Sequence, residues 1–585
     1  MKKFFIVGIA ALTMLTACNK ENNTPVDGTE QTWCANVQLT LPSVPKPASQ
    51  APADGTTPGA GSEFADGTAA EYNINPDECY FVYYDNLKRR IGAISGNSIQ
   101  WSSVDGDPSD NVTRKGTITI KSAVKPSYVV CYLNLPQGNL YNAMRQYDLT
   151  AMKNAQTIVG LEGTKDAMNN VFARQTGNGG FFMTNSSYVD NNTNLVQEVK
   201  VDGMIFTPEE AKEEGFVTPV VEIYMERVVA KATTAIKDDV EPLSTMKATA
   251  KDGSTYYKLT TTNSDGIDDS EVEFGVKFLS WGLNATNRSF VPLKKINREW
   301  TVDMFTPYLW NAPTYGRSYW AQDGNYLPSD AAQYLTNTDF SGTNVPEGLS
   351  LNYYSLNETT NAFGNDIAEY AFENTSDVSL GFPYSSNSHV VFKAQYVDAS
   401  GAPVTADVYR VGKEIYTKAA LKTYIKNVLS RYIINEGVEL SENDIHITRN
   451  NNNYSDRTDV KAIVSCSNEA IEFEEGVDRT QLQETIFHER ICWVYPQGIC
   501  YYTIPFKHFI NLGNQKTGYY GMVRNHWYQV NIINIAEFGH PADLDKPIVP
   551  EAIEDDEYIL NCNINVLAWG KVNIDASVGD NEGWK

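Results

Sequence analysis

The sequence predicts an all-β fold with a few helices. Short runs of β-branched and aromatic residues follow one another at close spacing, separated by polar turns. Examples of these runs are Cys79–Tyr84, Gly116–Ile120, Tyr128–Leu133 and Val390–Ala394. Tyrosine is abundant, with 34 residues, and this composition is typical of exposed β-structure. A chain of 585 residues with many such runs predicts two or three domains built as antiparallel β-sandwiches.

The amino terminus has the pattern of a bacterial lipoprotein signal, residues 1–17. Two lysines precede an apolar run from Phe4 to Leu15, which is too short to span a membrane. The sequence Leu15-Thr16-Ala17-Cys18 then matches a lipoprotein box. We expect Cys18 to become the lipidated first residue of the mature chain and to anchor it in the outer membrane.

A first strand follows the polar tether. Its apolar residues alternate with polar ones, which predicts a strand with one buried face, and they are Trp33, Ala35, Val37, Leu39 and Leu41. Residues 42–71 are rich in Pro, Gly, Ala, Ser and Thr, a composition that does not form a packed core. We therefore predict that residues 18–71 combine a lipidated tether, a removable first strand (33–41) and a cleavable linker.

The body of the chain divides into two predicted β-sandwich domains, residues 72–240 and 241–540. The division rests on a polar stretch at Lys237–Ser244, after a long strand that begins at Val220. Within the second domain, Tyr416–Ile433 is the clearest helix. Leu421, Ile425, Val428 and Tyr432 recur there at helical spacing.

The carboxyl terminus, residues 541–585, reads as a spacer followed by one or two further strands. The spacer carries prolines and a run of acidic residues, and after it the apolar residues again alternate with asparagine. They are Leu560, Cys562, Ile564 and Val566. A chain with a removable first strand and a similar last strand has the elements of a polymer subunit, because one molecule's last strand could occupy its neighbour's vacated groove. The alternative is that the last strand pairs within its own chain.

Charge and cysteine content limit the partners. A formal net charge of −25 argues against nucleic acid, since phosphate binding needs a basic surface. Besides Cys18, the chain has seven cysteines, several of them inside apolar strands. We expect buried free thiols rather than a disulfide framework.

No motif points to catalysis, a cofactor or a metal site. His488-Glu489 begins like a zinc-protease signature, but Cys492 stands where the second histidine belongs. A nucleophile elbow of the form Gly-x-Ser-x-Gly is absent from the sequence. We therefore expect a non-enzymatic protein without a cofactor.

In the run Val523–Ile532, in the carboxyl-terminal run Asn563–Trp569 and in several further segments, the sequence resembles the Bacteroidetes fimbrillins, the subunits of type V pili. The resemblance is closest to the short-fimbria (Mfa-type) shaft subunit. The strand Val523–Ile532 followed by Phe538-Gly539 resembles the family's closing strand. Asn563–Trp569 resembles its carboxyl-terminal strand, with Ala568 where proline is usual. Glu226–Ala232, Phe278–Lys295 and the lipoprotein box resemble further family segments.

The resemblance implies a fold, an export route and a sequence of assembly steps. It implies two tandem transthyretin-like Greek-key sandwiches plus a donor-strand extension, and export to the cell surface as a lipoprotein. A maturation protease then removes the first strand, and identical subunits polymerise by strand exchange. The resulting pilus also contains anchor and tip proteins, and it supports adhesion. The family's best-known processing follows an arginine, whereas no arginine precedes Arg89 here.

Two alternative functions remain open from the sequence. One is an anchor or tip subunit of the same pilus. The other is a surface glycan-binding lipoprotein, in which exposed aromatic residues form a sugar platform; the candidates are Trp310, Tyr315, Tyr319 and Trp320.

Overall fold

The computed structural model has the predicted all-β fold with a few short helices. It describes residues 30–40, 74–99, 101–103, 113–136, 144–149, 168–174, 180–186, 188–190, 194–259, 274–288, 290–294, 321–323, 351–375, 386–412, 414–450, 460–488, 490–508, 518–549 and 560–568. The predicted signal, lipidation site and linker lie outside these residues, as do Leu41 and the aromatic residues of the predicted sugar platform.

The amino-terminal unit is built from strands β1 to β11. They are β1 (Gln31–Thr40), β2 (Tyr80–Tyr84), β3 (Arg90–Ser95), β4 (Ser102–Ser103), β5 (Thr113–Ser122), β6 (Tyr128–Leu133), β7 (Met183–Asn185), β8 (Tyr188–Asp190), β9 (Asn194–Val196), β10 (Val199–Lys200) and β11 (Val220–Arg227). Eight of them follow the order β3-β2-β6-β7-β11-β1-β5-β4, with β10 on β6, and β8 pairs with β9. β11 joins two layers, because its first half pairs with β1 and its last three residues pair with β7.

One hydrophobic core fills the space between these two layers. β2 and β6 contribute continuous buried runs, whereas β1 and β5 contribute alternate residues. This difference follows from position: β2 and β6 are covered on both faces, and β1 and β5 have one face in solvent.

The remainder of the described chain contains strands β12 to β28 and helices α1 to α3. In order they are β12 (Val229–Ile236), α1 (Leu243–Met246), β13 (Lys247–Thr249), β14 (Thr255–Leu259), β15 (Phe274–Asn284), β16 (Thr286–Asn287), β17 (Leu351–Asn352), β18 (Gly364–Phe372), β19 (His389–Val397), β20 (Val408–Val411), β21 (Glu414–Thr417), α2 (Lys418–Leu429), β22 (Ile445–Arg449), β23 (Ala462–Cys466), α3 (Gln483–Phe487), β24 (Cys492–Tyr495), β25 (Ile499–Pro505), β26 (His526–Ile535), β27 (His540–Pro541) and β28 (Leu560–Ala568). Single 3₁₀ turns and a π-helical turn at Met168–Phe172 lie between strands.

The carboxyl-terminal unit consists of two facing sheets. One has the order β18-β12-β26-β28 and the other β13-β14-β15-β19-β25-β27. A second hydrophobic core, with the buried Trp281 among its members, takes residues from both sheets.

A third hydrophobic core, which was not predicted, is formed by the chain segment between β19 and β25. The segment from β20 to β24, here called the insert, contains the sheet β21-β20-β24, the hairpin β22-β23 and helices α2 and α3. The predicted helix is confirmed as α2, where the hydroxyl of Thr417 accepts a hydrogen bond from the Ala420 amide (3.2 Å). Its buried residues are Leu421, Ile425 and Leu429, which contact the β-strands of the insert.

The two units meet earlier in the chain than the boundary predicted at residue 240. β11 pairs in the amino-terminal unit, and β12, which begins only one residue later, pairs in the carboxyl-terminal unit. Val228 is the single residue between them, and its amide donates to the Phe182 carbonyl (3.1 Å). The sequence carries no turn signal here because an extended chain can pass from one sheet to another without changing its local pattern.

The two units share one pairing rule. Each unit's first strand, β1 or β12, runs parallel to that unit's last internal strand, β11 or β26. On its other side each first strand is antiparallel to a neighbour, β5 or β18. β1 thus has the same position in the amino-terminal unit as β12 has in the carboxyl-terminal unit. The transthyretin-like Greek-key topology stays a prediction.

Among the described residues, none of the helices has the length and apolar character needed to cross a membrane.

Candidate functional site

The first strand occupies an interior position in its sheet. All ten residues of β1, Gln31–Thr40, are in antiparallel register with Ser122–Thr113 of β5. On the other side, Asn36–Thr40 are in parallel register with Val220–Tyr224 of β11. Cys34 extends this second side, because its backbone exchanges hydrogen bonds with Phe206 (2.6 and 3.0 Å). β1 therefore has hydrogen-bonded neighbours along both edges.

One face of β1 forms part of the amino-terminal core. Ala35, Val37 and Leu39 are buried, whereas the residues between them are partly exposed. Their neighbours on this face are buried as well: Ile118 and Ile120 on β5, and Val221 and Ile223 on β11. Full burial of a valine or leucine side chain stabilises a fold by about 1.5–3 kcal/mol. Loss of β1 would thus expose a groove lined by apolar residues and by two open strand edges.

The amino-terminal end of β1 is less buried. Trp33 is half-buried; its indole NH donates to the Ser122 carbonyl (3.1 Å), and the Lys125 ammonium lies 5.6 Å from its ring centroid. On the solvent face, the Thr117 hydroxyl donates to the Asn36 side-chain oxygen (2.7 Å). These contacts show that β1 makes specific polar interactions in addition to its apolar ones.

The last strand, β28, lies at the edge of a sheet in its own chain. It is antiparallel to β26, so the structure contains the intramolecular pairing that the sequence left as an alternative. The register sets Leu560, Cys562, Ile564 and Val566 opposite Ile535, Ile532, Val530 and Tyr528, respectively. These four residues of β26 are buried. In the sheet order β28 has one neighbour, β26, whereas β1 has two.

Cys562 is the residue of β28 whose side chain the structure describes. It is half-buried and packs against the carboxyl-terminal core, and burial raises the pKa of its thiol above the usual value. The seven described cysteines are free; five of them are buried, as expected, whereas Cys34 and Cys562 are half-buried.

A buried polar cluster lies where the two units meet, and the sequence did not predict it. Lys294 Nζ lies 3.1 Å from Glu226 Oε2, and Arg524 Nη2 lies 3.2 Å from Glu373 Oε2, with all four side chains almost fully buried. Arg524 also donates to the carbonyls of Val291 (2.6 Å) and Pro292 (3.2 Å). Buried charges of this kind are costly unless paired, so the cluster constrains how the units pack.

Burial shifts the pKa of one member of this cluster, Glu373, and of two nearby histidines. Burial raises the pKa of the Glu373 carboxyl, while the nearby Arg524 and Lys294 act in the opposite direction. Burial and the Lys294 charge lower the pKa of His526 to about 3, and burial lowers that of His508 well below its usual range. The only signal in the sequence was the presence of Glu226 and Arg227 within an apolar strand.

The structure also locates one rejected catalytic motif. His488 follows α3 with a left-handed backbone (φ 55°). Among the described residues, no group of three His, Cys, Asp or Glu side chains is arranged to hold a metal ion.

Comparisons with known proteins bear on the carboxyl-terminal part. The family model "Major fimbrial subunit protein type IV, Fimbrillin, C-terminal" matches residues 494–575, which include β25, β26 and β28. No curated protein matches the sequence.

Three solved structures resemble the whole chain weakly. A cell adhesion protein from Bacteroides eggerthii is 10% identical, with 94% of this chain and 98% of that chain covered and a TM-score of 0.33. A fimbrilin from Porphyromonas gingivalis is 10% identical, with 92% and 99% covered and a TM-score of 0.35. The tip fimbrial protein Mfa3 from Porphyromonas gingivalis is 9% identical, with 92% and 100% covered and a TM-score of 0.27. The resemblance to the Bacteroidetes fimbrillins is nevertheless confirmed by the family model, and residues 494–575 of the chain carry it.

Proposed function

We propose that this chain is a structural subunit of a cell-surface fimbria that polymerises by strand exchange and supports adhesion. The subunit is exported as a lipoprotein through signal residues 1–17 and is anchored in the outer membrane by lipid on Cys18. A protease cuts within residues 42–71, and β1 leaves with the lipid. β28 of a neighbouring subunit then fills the groove between β5 and β11.

The observation that carries this proposal is the contrast between the two terminal strands. β1 is bonded along both edges and covers a core with Ala35, Val37 and Leu39. Within the described strands, β28 has hydrogen-bonded partners on β26 alone. A strand that moves from an edge to an interior position gains a second ladder, and each ladder bond contributes about 1 kcal/mol net.

The composition of the connecting segments supports the same order of events. Residues 42–71 are rich in Pro and Gly, and peptide bonds in such sequences are good protease substrates. The spacer before β28 is shorter than predicted, because Pro541 belongs to β27 and Ile548 is buried against the body. Residues 550–559 remain as the spacer, and their sequence carries one proline and five acidic residues. The family match at residues 494–575 includes this spacer and the last strand.

The test is controlled cleavage of the purified, unlipidated protein. A recognition site for a specific protease is placed within residues 42–71, and a chain that ends at Glu557 serves as the matched control. We expect the cut full-length protein to form ladders on gels and filaments in the electron microscope, and the cut control to remain monomeric. Monomers in both samples, with residues 558–585 resistant to proteolysis, would refute strand exchange.

A further inference from the structure

A lysine and a glutamate of the buried polar cluster form an ion pair that water does not reach. Lys294 Nζ lies 3.1 Å from Glu226 Oε2, and both side chains are 0% exposed. In the pair of Lys88 with Glu198, by contrast, the lysine side chain is 38% exposed. A solvated ion pair keeps most of its hydration, whereas a buried pair has lost the hydration of both groups.

The backbone holds the two side chains in contact. Glu226 on β11 is in register with Thr184 on β7. The Thr184 hydroxyl donates to the carbonyl of Pro292 (3.2 Å), two residues before Lys294, and Arg524 donates to the same carbonyl (3.2 Å). Groups held in a favourable orientation within one molecule react as if each were present at about 10⁵–10⁸ M. The fixed backbone therefore favours a reaction between the two side chains.

Burial favours the uncharged forms of both groups. Transfer of one proton from the Lys294 ammonium to the Glu226 carboxylate gives an amine and a carboxylic acid, which cost less to bury than two ions. These are the two forms that condense to an amide. The reverse reaction, hydrolysis of the amide, needs water, and the site excludes it.

A third carboxyl lies close to the pair. Glu373 interacts electrostatically with both Lys294 and Glu226, and burial raises the pKa of its carboxyl. A carboxyl that keeps its proton can transfer it to the oxygen that leaves during condensation. Arg524 Nη2, 3.2 Å from Glu373 Oε2, fixes the position of this group. A guanidinium keeps its proton in proteins and is not a nucleophile, so the second buried ion pair cannot condense in the same way.

We propose that Lys294 Nζ and Glu226 Cδ form an amide bond that joins the two units covalently. The Nζ–Cδ bond forms, the bond from Cδ to one carboxylate oxygen breaks, and that oxygen leaves as water with two protons from the ammonium. Glu373 regains the proton that it supplies, so no oxidant, reductant or other reactant is consumed. The inference is independent of the proposed function, because the reaction needs only the folded chain.

The bond changes two properties of the cluster. It ties β11, which forms one wall of the β1 groove, to the carboxyl-terminal unit, so the two units cannot separate under tension while the bond is intact. It also removes the Lys294 charge. Burial, the larger of the two causes, still lowers the pKa of His526 in the linked chain.

Intact-mass measurement tests the bond directly. The purified, unlipidated full chain is denatured and weighed by mass spectrometry. We expect it to be lighter than its sequence by one water molecule. A tryptic digest should contain one branched peptide that carries both Glu226 and Lys294, and cleavage after Lys294 should be blocked. A chain with the full mass of its sequence, or a missing water that maps to other residues, would overturn the proposal.

Glu226→Gln provides a chemical check, because a side-chain amide condenses with an amine by losing ammonia instead of water. The linked product is then the same molecule as the linked parent. We therefore expect the parent and Glu226→Gln to have equal masses although their sequences differ in mass. Two unequal masses, each that of its own sequence, would refute the bond. A linked parent beside an unlinked Glu226→Gln supports the bond and shows that the carboxylic acid is needed to form it.

Two lysine variants complete the test. Lys294→Arg keeps the positive charge but has no amine, so it should keep the full mass of its sequence; circular dichroism checks that it folds. Lys88→Arg, at the partly exposed pair with Glu198, is the matched control and should lose one water as the parent does. Loss of water that persists in Lys294→Arg would contradict the assignment to Lys294.

Discussion

At the residue scale, burial controls the chemistry of the polar cluster between the two units. His526 is almost fully buried, and its Nδ1 lies 2.8 Å from the Arg524 carbonyl, which fixes that nitrogen as the donor. The Lys294 charge and the loss of water both disfavour a second proton on the ring. The folded protein therefore holds this histidine neutral under conditions in which the unfolded chain protonates it.

This leads to a pH-dependent stability. The pKa of His526 is about 3 in the fold and about 6.5 in the unfolded chain, so protonation of the unfolded chain destabilises the fold as pH falls from about 6.5 towards 3. We expect His526→Asn, which keeps a donor but does not titrate, to flatten the denaturation profile by about 1.4 kcal/mol per pH unit in this window. His446→Asn, at an exposed histidine, is the control and should follow the parent. Equal slopes for His526→Asn and the parent would contradict the account.

At the scale of single elements, the terminal strands differ in what they hold together. β1 belongs to the amino-terminal core, whereas β28 is an edge strand at the margin of the carboxyl-terminal sheet. Changes in β28 are therefore expected to affect assembly more than the stability of the body.

The variant Ile564→Asp tests this expectation. A carboxylate at an alternating apolar position would be desolvated in the groove, so the cleaved variant should not polymerise. Its thermal unfolding should remain within a few degrees of the parent, because about 1 kcal/mol shifts the melting temperature of a domain of this size by only about 2–4 °C. Asn563→Asp adds the same charge on the other face and should still assemble. Unfolding of Ile564→Asp, or normal filaments from it, would contradict the prediction.

At the scale of the whole molecule, the units are joined by packing as well as by the single residue Val228. Phe290 and Phe372 from the carboxyl-terminal unit enter the amino-terminal core, where their ring centroids lie 5.4 and 4.8 Å from that of Phe172. The insert, by contrast, has its own core. We expect the insert to respond to core mutations separately from the rest.

Ile425→Ala tests the independence of the insert. Removing a buried isoleucine side chain typically destabilises a core by about 2–5 kcal/mol. We expect faster hydrogen exchange in the segment from β20 to β24 and unchanged exchange in β1 and β5. Asn427→Ala, at an exposed site on the same helix, should leave exchange unchanged throughout. Faster exchange spread over all three cores would show that they unfold as one unit.

The local pattern of apolar and polar residues was enough to predict several individual strands and one helix. Alternation of apolar and polar residues identified β1 and the run that forms β28, and helical spacing identified α2, because these patterns depend only on backbone periodicity. The fimbrillin resemblance likewise came from short sequence motifs at both ends of the chain and at the junction of the two units.

The tertiary structure alone decided which strands become neighbours. That β1 lies between β5 and β11, that β12 belongs to the second unit, and that the segment β20–β24 has its own core all depend on contacts between residues far apart in sequence. The junction of Glu226, Lys294, Glu373 and Arg524 depends on such contacts as well. The alternation of residues within a strand indicates which face is buried, but it does not indicate which strands lie beside it. For β1 those neighbouring strands, β5 and β11, form the groove.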